Sequence, residues 1–121
     1  MSAADNRAAA TPTLSTHVLD TAQGRPAAGV AIRLERVTAE GAELLGQGQT
    51  DKDGRLRDLL PPGPAAQGRY RLTFATGAYF QAQGAPVFYP EVRVDFQIED
   101  AAHYHVPLLL SPFGYSTYRG S

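Results

Sequence analysis

Residues 91–98 read EVRVDFQI and alternate without a break. Val92, Val94, Phe96 and Ile98 fall on one side, Glu91, Arg93, Asp95 and Gln97 on the other. Successive side chains of a strand point to opposite faces, so this run fits a half-buried strand and no helix. The pattern recurs at 30–37 (VAIRLERV), where Val30, Ile32, Leu34 and Arg36 oppose Ala31, Arg33, Glu35 and Val37. It recurs again at 69–75 (RYRLTFA), with Tyr70, Leu72 and Phe74 inward. Shorter or weaker runs lie at 14–19, 44–49, 55–57, 103–110 and 115–119. Turn signals separate them: Asp20 to Gly24 with Pro26 behind, Gly41, Asp51-Lys52-Asp53-Gly54, and Pro61-Pro62-Gly63-Pro64. Residues 76–83 (TGAYFQAQ) break the alternation and predict one or two helical turns with Thr76 as N-cap. About eight strands and one short helix predict an all-β fold, an antiparallel sandwich or barrel.

A chain of 121 residues holds one such domain and can bury a proper core. Its 11 basic and 12 acidic residues leave a formal charge of -1, which argues against binding nucleic acid through phosphate neutralisation. Cys is absent, so disulfides, thiol nucleophiles and Cys-ligated zinc are excluded. No apolar run approaches the roughly 20 residues that span a bilayer. Residues 1–13 (MSAADNRAAATPT) lack the basic and apolar regions of a signal peptide. They read as a disordered leader before a domain at 14–121, and a cytoplasmic location is expected.

The run 103–110 (HYHVPLLL) differs from the others. Tyr104, Val106, Leu108 and Leu110 make one face; His103, His105, Pro107 and Leu109 make the other. A lone antiparallel sandwich usually leaves its second face polar. Two apolar faces predict a cover on the outer one, for which a second copy of the chain is the expected candidate. Pro107 lacks a backbone donor, which suits an edge or bulge position.

The chain has three histidines, His17, His103 and His105. His105 shares its strand face with Pro107 and Leu109, and His17 with Ser15 and Leu19. If the two strands pair, both imidazoles meet on the outer sheet face, where such a pair can serve as general base toward water. The opposing reading makes each a surface residue. His103 and His105, two apart in a strand, could also suit zinc, with His17 or a carboxylate as third ligand. The missing Cys and the lack of a second paired-His motif argue against a metal. Arg55, just after the Asp53-Gly54 turn, is either a solvated strand end or a clamp for a planar carbonyl or enolate. The tail Tyr115-Ser116-Thr117-Tyr118-Arg119-Gly120-Ser121 carries two tyrosines, unlike a frayed end, and is expected to pack.

These residues resemble the 5-hydroxyisourate hydrolases, the transthyretin-like enzymes of purine degradation. The resemblance runs from Leu14 to Ser121. It is carried by Leu14-Ser15-Thr16-His17-Val18-Leu19-Asp20, Gly24-Arg25-Pro26-Ala27, Thr50-Asp51-Lys52-Asp53-Gly54-Arg55, Tyr89-Pro90-Glu91-Val92 and the stretch from His103 to Pro112. The closing Tyr118-Arg119-Gly120-Ser121 separates the hydrolases from the hormone-carrying transthyretins. The resemblance implies a transthyretin-like (prealbumin-like) sandwich of two four-stranded sheets with one short helix. It implies a homotetramer, a dimer of dimers, with substrate sites in the channel between dimers. It places catalysis on His17, Arg55 and His105 and substrate binding on Tyr118, Arg119, Gly120 and Ser121, with no metal and no cofactor. The implied reaction is hydrolysis of 5-hydroxyisourate by His-assisted attack of water on a ring amide. Two rivals are a carrier of a hydrophobic ligand in the same channel, which would not need paired His, and an immunoglobulin-like structural sandwich, which leaves the doubly apolar strand unexplained.

Overall fold

The computed structural model describes residues 13–120. Among these residues nine strands form two sheets. The first contains β3 (Ala31–Thr38), β4 (Gly41–Gln49), β6 (Gly68–Phe74) and β7 (Val92–Ile98), in the order β4-β3-β6-β7. Every pairing in it is antiparallel. The second contains β1 (Leu14–Asp20), β8 (Tyr104–Ser111) and β9 (Gly114–Thr117), with two-residue strands β2 (Arg25–Pro26) and β5 (Arg55–Leu56). Both short strands pair with β1, β2 at Leu19 and Asp20 and β5 at Thr16 and His17. The sheet is therefore four strands wide, its outermost position split between β2 and β5.

The alternation seen in the sequence builds the core. Across β3 and β6, Ile32 opposes Phe74 and Leu34 opposes Leu72. These meet Leu14, Val18, Leu108 and Leu110 from the second sheet, and all are at most 1% exposed. Burying each such side chain contributes roughly 1.5–3 kcal/mol. Among the described residues a single helix, α1 (Thr76–Ala82), follows β6 and buries Thr76, Gly77, Tyr79 and Phe80. Among the described residues no helix is long and apolar enough to cross a membrane.

Three details depart from the sequence reading. The N-cap of α1 is Ala75 and not Thr76. Thr76 is already helical, and its hydroxyl donates to the Tyr89 carbonyl at 2.8 Å, tying the helix to the following loop. The second sheet is not wholly antiparallel, because β1 and β8 run parallel. A parallel pair needs a long connection, and here the whole first sheet and the helix supply it. Pro107 lies on β8, an interior strand between β1 and β9, not at an edge. The missing donor is tolerated because the β8–β9 ladder ends at Leu108 and Thr117, one residue short of Pro107. The Pro107 carbonyl is still satisfied, accepting from the Thr117 hydroxyl at 2.6 Å.

The start of the domain is anchored from Thr13. This residue is buried, and its carbonyl accepts the Tyr104 N–H at 2.8 Å. Of the leader expected at 1–13, all but Thr13 lies outside the described residues.

Candidate active site

The parallel pairing of β1 with β8 sets the geometry. Ser15 stands opposite His105 and His17 opposite Pro107. On the other side of β1, Arg55 stands opposite His17. Side chains directly opposite share a face, so Arg55, His17 and His105 lie together on the outer face of the second sheet. His17 and His105 are diagonal neighbours. A strand spacing of about 4.8 Å and a two-residue rise near 6.6 Å put their Cα atoms about 8 Å apart. All three side chains are half-buried.

Arg55 is delivered by the turn before it. Gly54 adopts φ +76, and a Cβ there would meet the Val18 carbonyl oxygen at 2.4 Å. Only glycine lets the turn approach β1 this closely. The Val18 N–H donates to the Gly54 carbonyl at 2.8 Å, which docks the turn on β1. The Asp51 carboxylate accepts the backbone N–H groups of Asp53 at 2.8 Å and Arg55 at 3.0 Å. The Arg55 N–H is the chief reason the Asp51 carboxyl sits below its ordinary value. The same turn fixes His17, whose Nε2–H donates to the Asp53 carbonyl at 2.9 Å. In the neutral ring the proton then sits on Nε2 and Nδ1 is bare.

His105 is held from two sides. Its Nδ1 lies 2.8 Å from the Ser15 hydroxyl, which also lies 3.1 Å from His103 Nε2. Its Cδ2 edge packs on Gly120, where an added Cβ would approach to 2.5 Å. The Gly120 N–H donates to the His105 carbonyl at 2.8 Å. The ring is thus clamped by β1 and by the tail. Burial lowers the His105 pKa from its ordinary value, and the nearby His103, Arg55 and His17 push the same way. The imidazole is held neutral at neutral pH, the state in which it accepts a proton.

The tail residues part company. Gly120 reaches the catalytic candidates as a packing surface. Tyr118 is exposed. The Arg119 guanidinium lies 4.5 Å from the centre of the Tyr104 ring. Tyr104 precedes His105 on the strand and points to the inner face, so Arg119 is on the opposite side of β8 from the imidazole. The Tyr104 hydroxyl donates to Asp100 and accepts the Glu99 N–H, both at 3.0 Å, so Arg119 rests on a fixed ring. Tyr104 and Arg119 line a cavity of about 290 Å³ with Val94, Phe96 and Val106. Ser121 lies outside the described residues.

Neither that cavity nor a larger one of about 330 Å³ over Arg33 and Gln47 is lined by His17, Arg55 or His105. In the single chain the three groups stand on an open sheet face. Among the described residues no three His, Asp or Glu side chains gather as metal ligands would. Sequence reading did not single out Ser15 or Asp51. The signal for Ser15 was its place two residues before His17, on the same strand face.

A two-layer transthyretin-type sandwich with imidazoles and a guanidinium on one outer face defines the class. The model of the HIUase/Transthyretin family matches residues 14–120. The 5-hydroxyisourate hydrolase of Salmonella typhi is 50% identical over 115 residues, covering 94% of this chain and 85% of that one. The solved Klebsiella pneumoniae 5-hydroxyisourate hydrolase superposes with a TM-score of 0.79 at 42% identity, covering 90% of this chain and 99% of that one. Sea bream transthyretin, solved in complex with thyroxine, superposes with a TM-score of 0.82 at 34% identity, covering 89% of this chain and 94% of that one. The chain belongs to the HIUase/transthyretin family. A carrier fits the backbone as well as a hydrolase does, so the fold alone does not separate the two activities.

Proposed function

We propose that this protein is a 5-hydroxyisourate hydrolase of urate degradation. It opens the six-membered ring at an amide bond to give 2-oxo-4-hydroxy-4-carboxy-5-ureidoimidazoline. The observation that carries this reading is the placement of Arg55, His17 and a desolvated His105 on one sheet face. Identity near 50% to hydrolases supports it.

In this mechanism His105 and His17 orient a water molecule. The Nε2 atom of His105 takes a proton as the water oxygen bonds to the ring carbonyl carbon. The His17 Nδ1 lone pair accepts the other water proton as a hydrogen bond. Arg55 holds the carbonyl oxygen, or an anionic form of the substrate, and stabilises negative charge in the tetrahedral intermediate. The C–N bond then breaks, and the proton held by His105 goes to the departing nitrogen. Ser15 lies behind His105 Nδ1, and the sequence supplies no obvious triad for Ser121, so water and not a serine is the nucleophile of this mechanism, which calls for no metal or cofactor.

The tail completes the site, with Tyr118 and Ser121 positioning the ring. Arg119 and Gly120 contribute by anchoring the tail on Tyr104 and on His105. The half-buried Leu109 beside the open site is the reason for proposing a homotetramer, a dimer of dimers whose channel encloses the substrate. We place the enzyme in the cytoplasm.

The test is the ultraviolet decay of freshly generated 5-hydroxyisourate. Added protein should speed the decay in proportion to its concentration. Decay at the buffer rate, together with saturable binding of thyroxine, would make it a carrier instead.

A further inference from the structure

His105 can act as a base only if its outward nitrogen, Nε2, carries no proton. A neutral imidazole holds one proton on either ring nitrogen, so something must place it on Nδ1. Ser15 is 7% exposed and stands opposite His105 in the strand register. Its hydroxyl bridges His105 Nδ1 at 2.8 Å and His103 Nε2 at 3.1 Å, between two rings tilted only 16° from parallel. A hydroxyl has one proton to give. If it donates to His103 Nε2, it must accept from His105 Nδ1–H, and His105 Nε2 is left bare. If it donates to His105 instead, Nε2 carries the proton and the base is lost.

The first arrangement is the one that leaves His105 able to accept a proton at Nε2. On the opposite edge Gly120 blocks the ring from swinging away. We propose that Ser15 is a positioning residue that fixes His105 in the Nδ1–H tautomer, and that His103 orients the Ser15 hydroxyl by accepting its proton. This rests on the reading of His105 as the base.

The experiment combines steady-state kinetics with long-range 1H–15N spectra of protein labelled at its three histidines. In the assembled wild-type protein at neutral pH, His105 should show a protonated Nδ1 and a bare Nε2. Ser15→Ala should move the proton to Nε2 and lower kcat about tenfold or more, with KM within about twofold; Ser15→Thr, which keeps the hydroxyl, should restore both. His103→Phe alters an exposed side chain and should lower kcat by a smaller factor, with mixed tautomers at His105. A wild-type His105 protonated at Nε2, or a tautomer unchanged in both Ser15→Ala and His103→Phe, overturns the proposal. The failure of the base reading looks different: His105→Asn would keep wild-type turnover whatever the spectra show.

Discussion

The two sheets present outer faces made by the same alternation, yet their charged residues lead different lives. On the first sheet Arg69 and Arg71 of β6 converge on Asp95 of β7, with Arg71 Nε 2.7 Å from the carboxylate. Arg71 chiefly, then Arg69, holds the Asp95 carboxyl down at about 2. Both guanidiniums there are paired within the sheet. On the second sheet, among the described residues, no carboxylate is ion-paired with Arg55, His17 or His105. The partners of His17 and His105 are a main-chain carbonyl and a serine hydroxyl. A guanidinium left without a counter-anion, beside a neutral imidazole, suits a substrate that develops negative charge. Under the proposed mechanism, what separates the two faces is the company their charges keep.

That contrast breaks first at His105. His105→Asn should lower kcat about 10²-fold or more while circular dichroism and assembly stay unchanged, the scale of losing a general base. Arg55→Lys keeps the charge but loses the planar fork, and kcat/KM should fall by about 10². Gly120→Ala puts a Cβ 2.5 Å from His105 Cδ2, so the ring or the tail must move. A misplacement on that scale should cost about tenfold or more in kcat with little change in Tm.

The acid limb of the rate profile sharpens the comparison. His105 must be neutral to accept a proton, and its surroundings lower its pKa from 6.5. The limb should therefore lie below pH 6.5, and the residual activity of Arg55→Gln should show it shifted upward. Linkage has a definite sign here. The unfolded chain protonates first as pH falls, so this contribution to stability is complete above pH 6.5 and is lost on acidification through the folded value. On the inert face, Asp95→Asn should lower stability by only about 0.5–1 kcal/mol in denaturant melts, because the carboxylate is partly solvated, and should leave turnover unchanged.

How much of this could be read from the chain depended on range. The alternation at 91–98 and 69–75 is local, and it placed β7, β6 and their inward residues within a residue or two. His17, Arg55 and His105 were legible as candidates because alternation already assigned the two His their faces. Their convergence depends on β1 pairing with β8 in parallel, about 90 residues apart in the chain, and no local pattern encodes that direction. β2 and β5 are too short to show a period. The Ala75 cap escaped because it has no capping side chain, while the Thr76 hydroxyl went to the loop at Tyr89. Arg119 reads as a site residue beside Tyr118, yet its guanidinium settles on Tyr104, a choice made by the cation–ring contact and not by the sequence order.

The most direct trial is a crystal structure of the assembled protein with a ring-intact urate analogue that cannot be hydrolysed. The analogue should lie on the outer face of the second sheet, its carbonyl on Arg55 and its reacting carbon within reach of a water held by His105 and His17. An analogue seated over Arg119 and Tyr104, on the other side of β8, would contradict the assignment of that face as the place where the ring is opened.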